Sequence, residues 1–285
     1  VLNMKKIYFS LFLLVLLTLS SGGCTRLVMP IASSMIPGFT SAFFEECDLK
    51  LARESLPAEL KLMEGLLKND PENQKILTAL CMGFTGYAML FVEDEDPERA
   101  SSLYRRGKAY GLKAMGIEKA GSRQMLDQIK KVPREDMEML FWTTMAWNAW
   151  VNLNLDNPTA IGESTLAEAC LKRVLKIEPD FYYGAPYVLM GTILAARPQM
   201  LGGNAPKSKT YFEKAIGLSD GKFLLAQYYF ARYYAVRVQD KALFLSLVKA
   251  VSEAQSDDLK EACLINQAVK QKMAALAEMA DELFL

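Results

Sequence analysis

The sequence predicts an all-α protein built from antiparallel helix pairs, and three features carry that expectation. Apolar residues recur three and four positions apart from about Pro57 to Leu285, as in Leu60, Met63 and Leu67 or Leu243, Leu247 and Val251, which is the period of a helix with one buried face. Acid and proline together mark repeated breaks in that pattern, as helix starts do. No stretch reads as a strand.

The first element is an address label. Lys5 and Lys6, just after Met4, precede an apolar run from Ile7 to Leu19. That run is too short for a hydrocarbon core, which needs roughly 20 apolar residues. Met4 sits just before the lysines, so either Val1 to Asn3 lie upstream of the true start or Val1 reflects an alternative start codon. Small Ser21, Gly22 and Gly23 lead into Cys24, a pattern that resembles the lipobox of bacterial lipoproteins, with Ser21 where leucine is usual. The expectation is a lipoprotein signal peptide over 1–23 and lipid attachment at Cys24; an ordinary secretory signal with a chance cysteine is the alternative. Thr25 stands where lipoproteins kept at the inner membrane typically carry aspartate, so the expected location is periplasmic, at the inner face of the outer membrane. Residues 24–56 then read as an anchor-proximal segment and 57–285 as the helical domain. No second apolar run of comparable length is expected there.

Within that domain, Asp70-Pro71-Glu72 and Asp96-Pro97-Glu98 each place a capping aspartate before a proline whose missing N–H costs nothing at the first helical position. Lys131-Val132-Pro133 and Glu178-Pro179-Asp180 are looser versions. About a dozen helices would account for the length. The triplets Ala100, Tyr104, Gly107; Ala167, Leu171, Val174; and Ser208, Phe212, Ala215 have the small-large-small spacing of tetratricopeptide units, without a strict 34-residue period. The predicted architecture is therefore a degenerate tetratricopeptide-like solenoid bundle, although any antiparallel bundle can produce such triplets by chance.

Composition excludes several functions. Lysine plus arginine equals aspartate plus glutamate, 33 each, which leaves no basic surplus for nucleic acid. Histidine is absent, so the commonest general base and zinc ligand are missing. No Gly-x-Ser-x-Gly elbow or phosphate loop occurs, so an enzyme is not expected, nor is a cofactor. Cys47, Cys81, Cys170 and Cys263 are too widely spaced for a metal motif and read as buried thiols; an export compartment would permit disulfides, but spacing cannot pair them. Glu93-Asp94-Glu95-Asp96 lacks the glycine and final glutamate of a calcium loop, and reads as a solvated loop whose last aspartate caps the helix at Pro97.

Particular phrases then name a family. Gly86-Tyr87-Ala88, Phe91-Val92-Glu93-Asp94, the stretch 99–110, and the block Arg197-Pro-x-x-Leu-Gly-Gly-Asn204 resemble the T-component of tripartite ATP-independent periplasmic (TRAP) transporters. So do Phe212-Glu-Lys-Ala215, Tyr229-Phe-Ala-Arg232-Tyr233-Tyr234 and the ending 281–284. Ser208, where the repeat prefers alanine, and Asp220, where a proline would close the unit, are departures. The resemblance implies a helical lipoprotein, a homotrimer, a partnership with the transporter's substrate-binding (P) component, and a hydrophobic passage through each protomer for a fatty acid or similar ligand. The competing reading is a tetratricopeptide-like envelope scaffold that docks a peptide or assembly partner in a groove.

Two aromatic segments are the candidates for the passage wall. Met137 to Trp150 holds all three tryptophans, with Trp142, Met145, Ala146 and Ala149 on one stripe and Trp147 and Trp150 on another face. Such a helix is either buried on several sides or lines a cavity. Tyr228 to Tyr234 supplies Tyr229 and Tyr233, with Arg232 among them. Arg232 and Arg197 can pair with a buried carboxylate, stack on a ring, or meet a ligand carboxylate at a mouth. Gly202-Gly203 predicts a turn with positive φ.

Overall fold

The structure, a computed structural model, describes residues 34–118 and 120–284. The signal region 1–23 and Cys24 lie outside the described residues. Within them the regular elements are all helical: α1 (Ile36–Phe44), α2 (Leu49–Leu67), α3 (Gln74–Tyr87), α4 (Pro97–Ala114), α5 (Ser122–Ile129), α6 (Met137–Leu153), α7 (Pro158–Ile177), α8 (Phe181–Ala196), α9 (Ala205–Leu218), α10 (Leu225–Tyr229), α11 (Lys241–Glu253), α12 (Cys263–Glu278) and α13 (Ala280–Leu283). Helices adjacent in sequence pack in pairs, α3 on α4, α6 on α7, α8 on α9 and α11 on α12. Because α6 also crosses both α3 and α4, the first two pairs share one core.

Side-chain caps set six of the helix starts. Asp48, Asn73, Asp96, Asn157, Asn204 and Asp240 each accept from a backbone N–H in the first turn that follows. Asp96 and Pro97 behave as the sequence predicts, with Asp96 accepting from the Arg99 N–H at 3.0 Å. Asp70 does not. The chain turns through Asp70–Asn73, and Asn73 caps α3 while its amide donates to the Asp70 carboxylate at 2.9 Å. Helix also begins upstream of Pro57, which lies inside α2, because Asp48 supplies an earlier cap. A second long apolar run does exist. Gln74–Val92 is 19 residues long with mean hydropathy 1.6, and its 72% burial within the protein makes it the central core helix.

All three small-large-small triplets are buried. Ser208 takes the small position because its hydroxyl donates to the Gly191 carbonyl at 2.7 Å, tying α9 to α8. Asp220 has φ +50°, which a proline ring cannot adopt. The closest approach between helices is at Gly111 of α4, where a Cβ would overlap the Thr143 hydroxyl of α6 and lie 3.0 Å from the Cys81 sulfur of α3.

The cysteines divide. Cys81 and Cys170 are buried thiols, whereas Cys47, just before α2, is bonded to Cys263 at the start of α12, 216 residues away. This disulfide fastens the N-terminal end of the described chain to its C-terminal helices. Phe44, three residues earlier, stacks on Trp142 with ring centroids 6.0 Å apart and meets Tyr182 at 5.6 Å.

Candidate functional site

Two helices change pitch where they approach each other. α3 runs into a π-helical turn over Ala88–Val92, closed by the Glu93 N–H donating to the Ala88 carbonyl at 2.9 Å. α10 does the same over Phe230–Ala235, where Asp240 donates to the Ala235 carbonyl at 2.9 Å. A π turn fits one extra residue into a helical turn and is frequent at functional sites. Here the turns carry Met89, Glu93, Arg232 and Tyr233 to one place.

Three adjoining spaces meet there. A narrow inner pocket holds about 670 Å³ of empty space between α3, α4, α6, α8 and α10. Met89, Glu93, Leu225 and Tyr229 line both this pocket and a tight neck with about 260 Å³ of empty space. Glu93, Tyr228, Arg232 and Lys272 line both the neck and an outer groove with about 1540 Å³ of empty space, bounded by α12 and α13. Glu93 lines all three.

At the neck Asp94 binds two cations. Its carboxylate accepts from Arg232 at 2.9 Å and from Lys272. Burial would raise the Asp94 pKa, but the hydrogen bond and charge of Lys272, with those of Arg232, outweigh it and hold the carboxyl below the usual range. Arg232 also donates to the Tyr228 hydroxyl at 2.6 Å and stands 5.5 Å above the Tyr233 ring. Burial pushes the Tyr228 hydroxyl up to about 12. Deeper in, the Tyr104 hydroxyl donates to Glu93 at 2.5 Å, and burial, reinforced by Glu93, raises the pKa of both Tyr104 and Tyr229 well above the ordinary value.

The sequence-predicted wall residues therefore separate. Met145, Tyr229 and Tyr233 line the inner pocket, and Arg232 lines the neck and groove. Trp142, Trp147 and Arg197 lie outside these linings. Trp142 faces Phe44 and Phe141 in the core, because the α1 aromatics cover its side of α6. Trp147 is buried with its indole N–H donating to Glu163 at 2.7 Å, and Glu163 also pairs with Lys108 at 2.6 Å. Arg197 is bound to Glu168 of α7 at 2.7 Å. Its block serves as the α8–α9 connection: Gly202 has φ +89°, and Gly203 packs against the Arg197 carbonyl where a Cβ would not fit.

Sequence reasoning missed Glu93, Tyr104, Asn148 and Asn152 in the lining. Glu93 lines the pocket, neck and groove, and Asp94 lines the groove and binds two cations, so the acidic run is only partly a solvated loop. A signal was present in the four-residue spacing of Met89 with Glu93, of Met145 with Ala149, and of Asn148 with Asn152, which repeats that of Tyr229 with Tyr233.

The family model for the TRAP transporter T-component matches residues 45–284, nearly all of the described chain. The chain belongs to the TRAP transporter T-component family. An uncharacterized protein of Treponema pallidum (strain Nichols) is 28% identical over 198 residues, which cover 61% of this T-component and 61% of that relative. The matched region thus falls short of two thirds of the relative's length.

Proposed function

We propose that this T-component holds a mainly apolar ligand in a passage formed by the inner pocket, neck and groove, and exchanges it with the substrate-binding (P) component of a TRAP transporter. The observation that carries the reading is the shared lining of the three spaces, with Glu93 common to all. The inner wall is largely apolar, with methionines at 89 and 145 able to adapt to a ligand's shape. The same proposal includes a helical T-component domain over 57–285, a homotrimer, and anchorage through a diacylated Cys24 at the inner face of the outer membrane.

The test uses the full chain in amphipol and the uncharged apolar dye N-phenyl-1-naphthylamine, whose fluorescence rises in apolar surroundings. Saturable binding above that of empty amphipol is expected, and Ala149→Trp, which fills the inner pocket, should abolish it while circular dichroism stays unchanged. Equal binding by the folded Ala149→Trp protein would overturn the passage. The anchor has its own check, since fatty-acid labelling should vanish in Cys24→Ala.

A further inference from the structure

The inner pocket has two chemistries. Met89, Met145, Val188, Leu189, Ile193 and Leu225 make its apolar wall. Thr85, Glu93, Asn148, Asn152, Tyr229 and Tyr233 bring polar atoms to the same space. No lysine or arginine lines it. The nearest cations, Arg232 and Lys272, line the neck and groove instead, and both are bound to Asp94.

Two of the polar groups facing this space have acceptor atoms to spare. Glu93 takes one hydrogen bond from Tyr104, and a carboxylate has capacity for more. The Asn148 amide nitrogen is used twice, donating to the Thr144 carbonyl at 2.9 Å and the Ala167 carbonyl at 3.1 Å, so its carbonyl oxygen is the atom left for the pocket. The Tyr229 ring stacks on Tyr233 at 5.4 Å, and its hydroxyl has no hydrogen-bond partner among the described residues. A ligand entering this space meets a carboxyl and a carbonyl that need donors, beside the Tyr229 and Tyr233 hydroxyls and the Asn152 amide, which can donate or accept.

We infer that the polar end of the ligand is uncharged and donates hydrogen bonds, as a carboxamide does, and that Glu93 selects it against a carboxylate. This deepens the passage reading and rests on it. A carboxylate offers only acceptors, so it would leave Glu93 and Asn148 unmatched, and it would bring like charge beside Glu93 in a medium far less polar than water. Sites with buried polar groups discriminate strongly against ligands that leave those groups unpaired. Arg232 and Lys272 do not reverse the preference, because Asp94 already engages both at the neck.

The probes are octanamide and octanoate, which share a tail and a planar head of nearly equal size. Calorimetric titration into the full chain in amphipol, with titration into empty amphipol subtracted, should give octanamide at least about tenfold tighter binding at neutral pH. Glu93→Gln should bring the two within about threefold of each other, chiefly by strengthening octanoate. Tyr229→Phe keeps the ring and removes the hydroxyl, and should weaken octanamide several-fold. Octanoate binding as tightly as octanamide, or a ratio unchanged in Glu93→Gln, would overturn the inference and leave the passage standing. Should Glu93→Gln fail to fold, unchanged octanamide affinity in Tyr229→Phe would overturn it. Binding of neither probe to the wild type would overturn the passage reading and the inference together.

Discussion

Replacing Gly111 with alanine opposes a local gain to a tertiary loss. Alanine in the middle of α4 is worth roughly 1 kcal/mol over glycine in helix propensity. Against this, the added Cβ overlaps the Thr143 hydroxyl, lies 2.9 Å from the Thr143 Cβ and 3.0 Å from the Cys81 sulfur. Overpacking of this kind costs about 1–3 kcal/mol. The threonine cannot rotate away freely, since its hydroxyl donates to the Met139 carbonyl at 2.7 Å and losing that bond costs about 1 kcal/mol more. Summed, these give a net loss of about 2 kcal/mol, or roughly 4–8 °C in Tm for a domain of this size. Gly65 of α2 is the control. An added Cβ there meets nothing within 4 Å, so Gly65→Ala should stabilise by up to about 1 kcal/mol. Thermal unfolding by circular dichroism reads both, and Thr143→Ala in the Gly111→Ala background should recover more than about 0.5 kcal/mol by double-mutant cycle. A Gly111→Ala protein as stable as wild type, or one with no coupling to Thr143, would refute the account of how α3, α4 and α6 meet.

Trp142→Ala should cost about 3–5 kcal/mol by leaving a void beside Phe44 and Phe141, with dye binding unchanged; altered dye binding at full stability would return Trp142 to the passage wall. Because the folded pKa of Asp94 is depressed, its pairing contributes stability that is present above the unfolded value of about 3.9 and lost as pH falls through the lower folded value. The stability gap between wild type and Lys272→Met, read from urea midpoints, should therefore narrow below about pH 4, and a gap constant with pH would contradict the ion pair. Reduction of Cys47–Cys263, which closes a 216-residue separation, should cost about 5 kcal/mol on chain-entropy grounds and lower the melting temperature. Cys81 and Cys170, buried and each pushed up to about 12, should resist a thiol reagent until the chain unfolds, as peptide mapping would show.

The sequence by itself determined the helices, several of their caps and the buried faces of the small-large-small triplets. Those features depend on neighbours within about one turn, so spacing along the chain reports them directly. Asp96 could be read as a cap because the N–H that it receives is three residues away. Only the tertiary structure decided which aromatic residues are core and which border the inner pocket. Trp142 and Met145 share a helix and nearly a stripe, yet the packing of α1 covers one while α8 and α10 leave space beside the other. The same holds for Cys47 with Cys263, and for Arg232 with Asp94, 138 residues apart in sequence. The two π turns escaped the reading because a single added residue per turn leaves apolar spacing almost unchanged while it rotates every side chain that follows. That rotation places Glu93 at the junction of pocket, neck and groove, where packing between distant segments, rather than any local pattern, fixes what it meets.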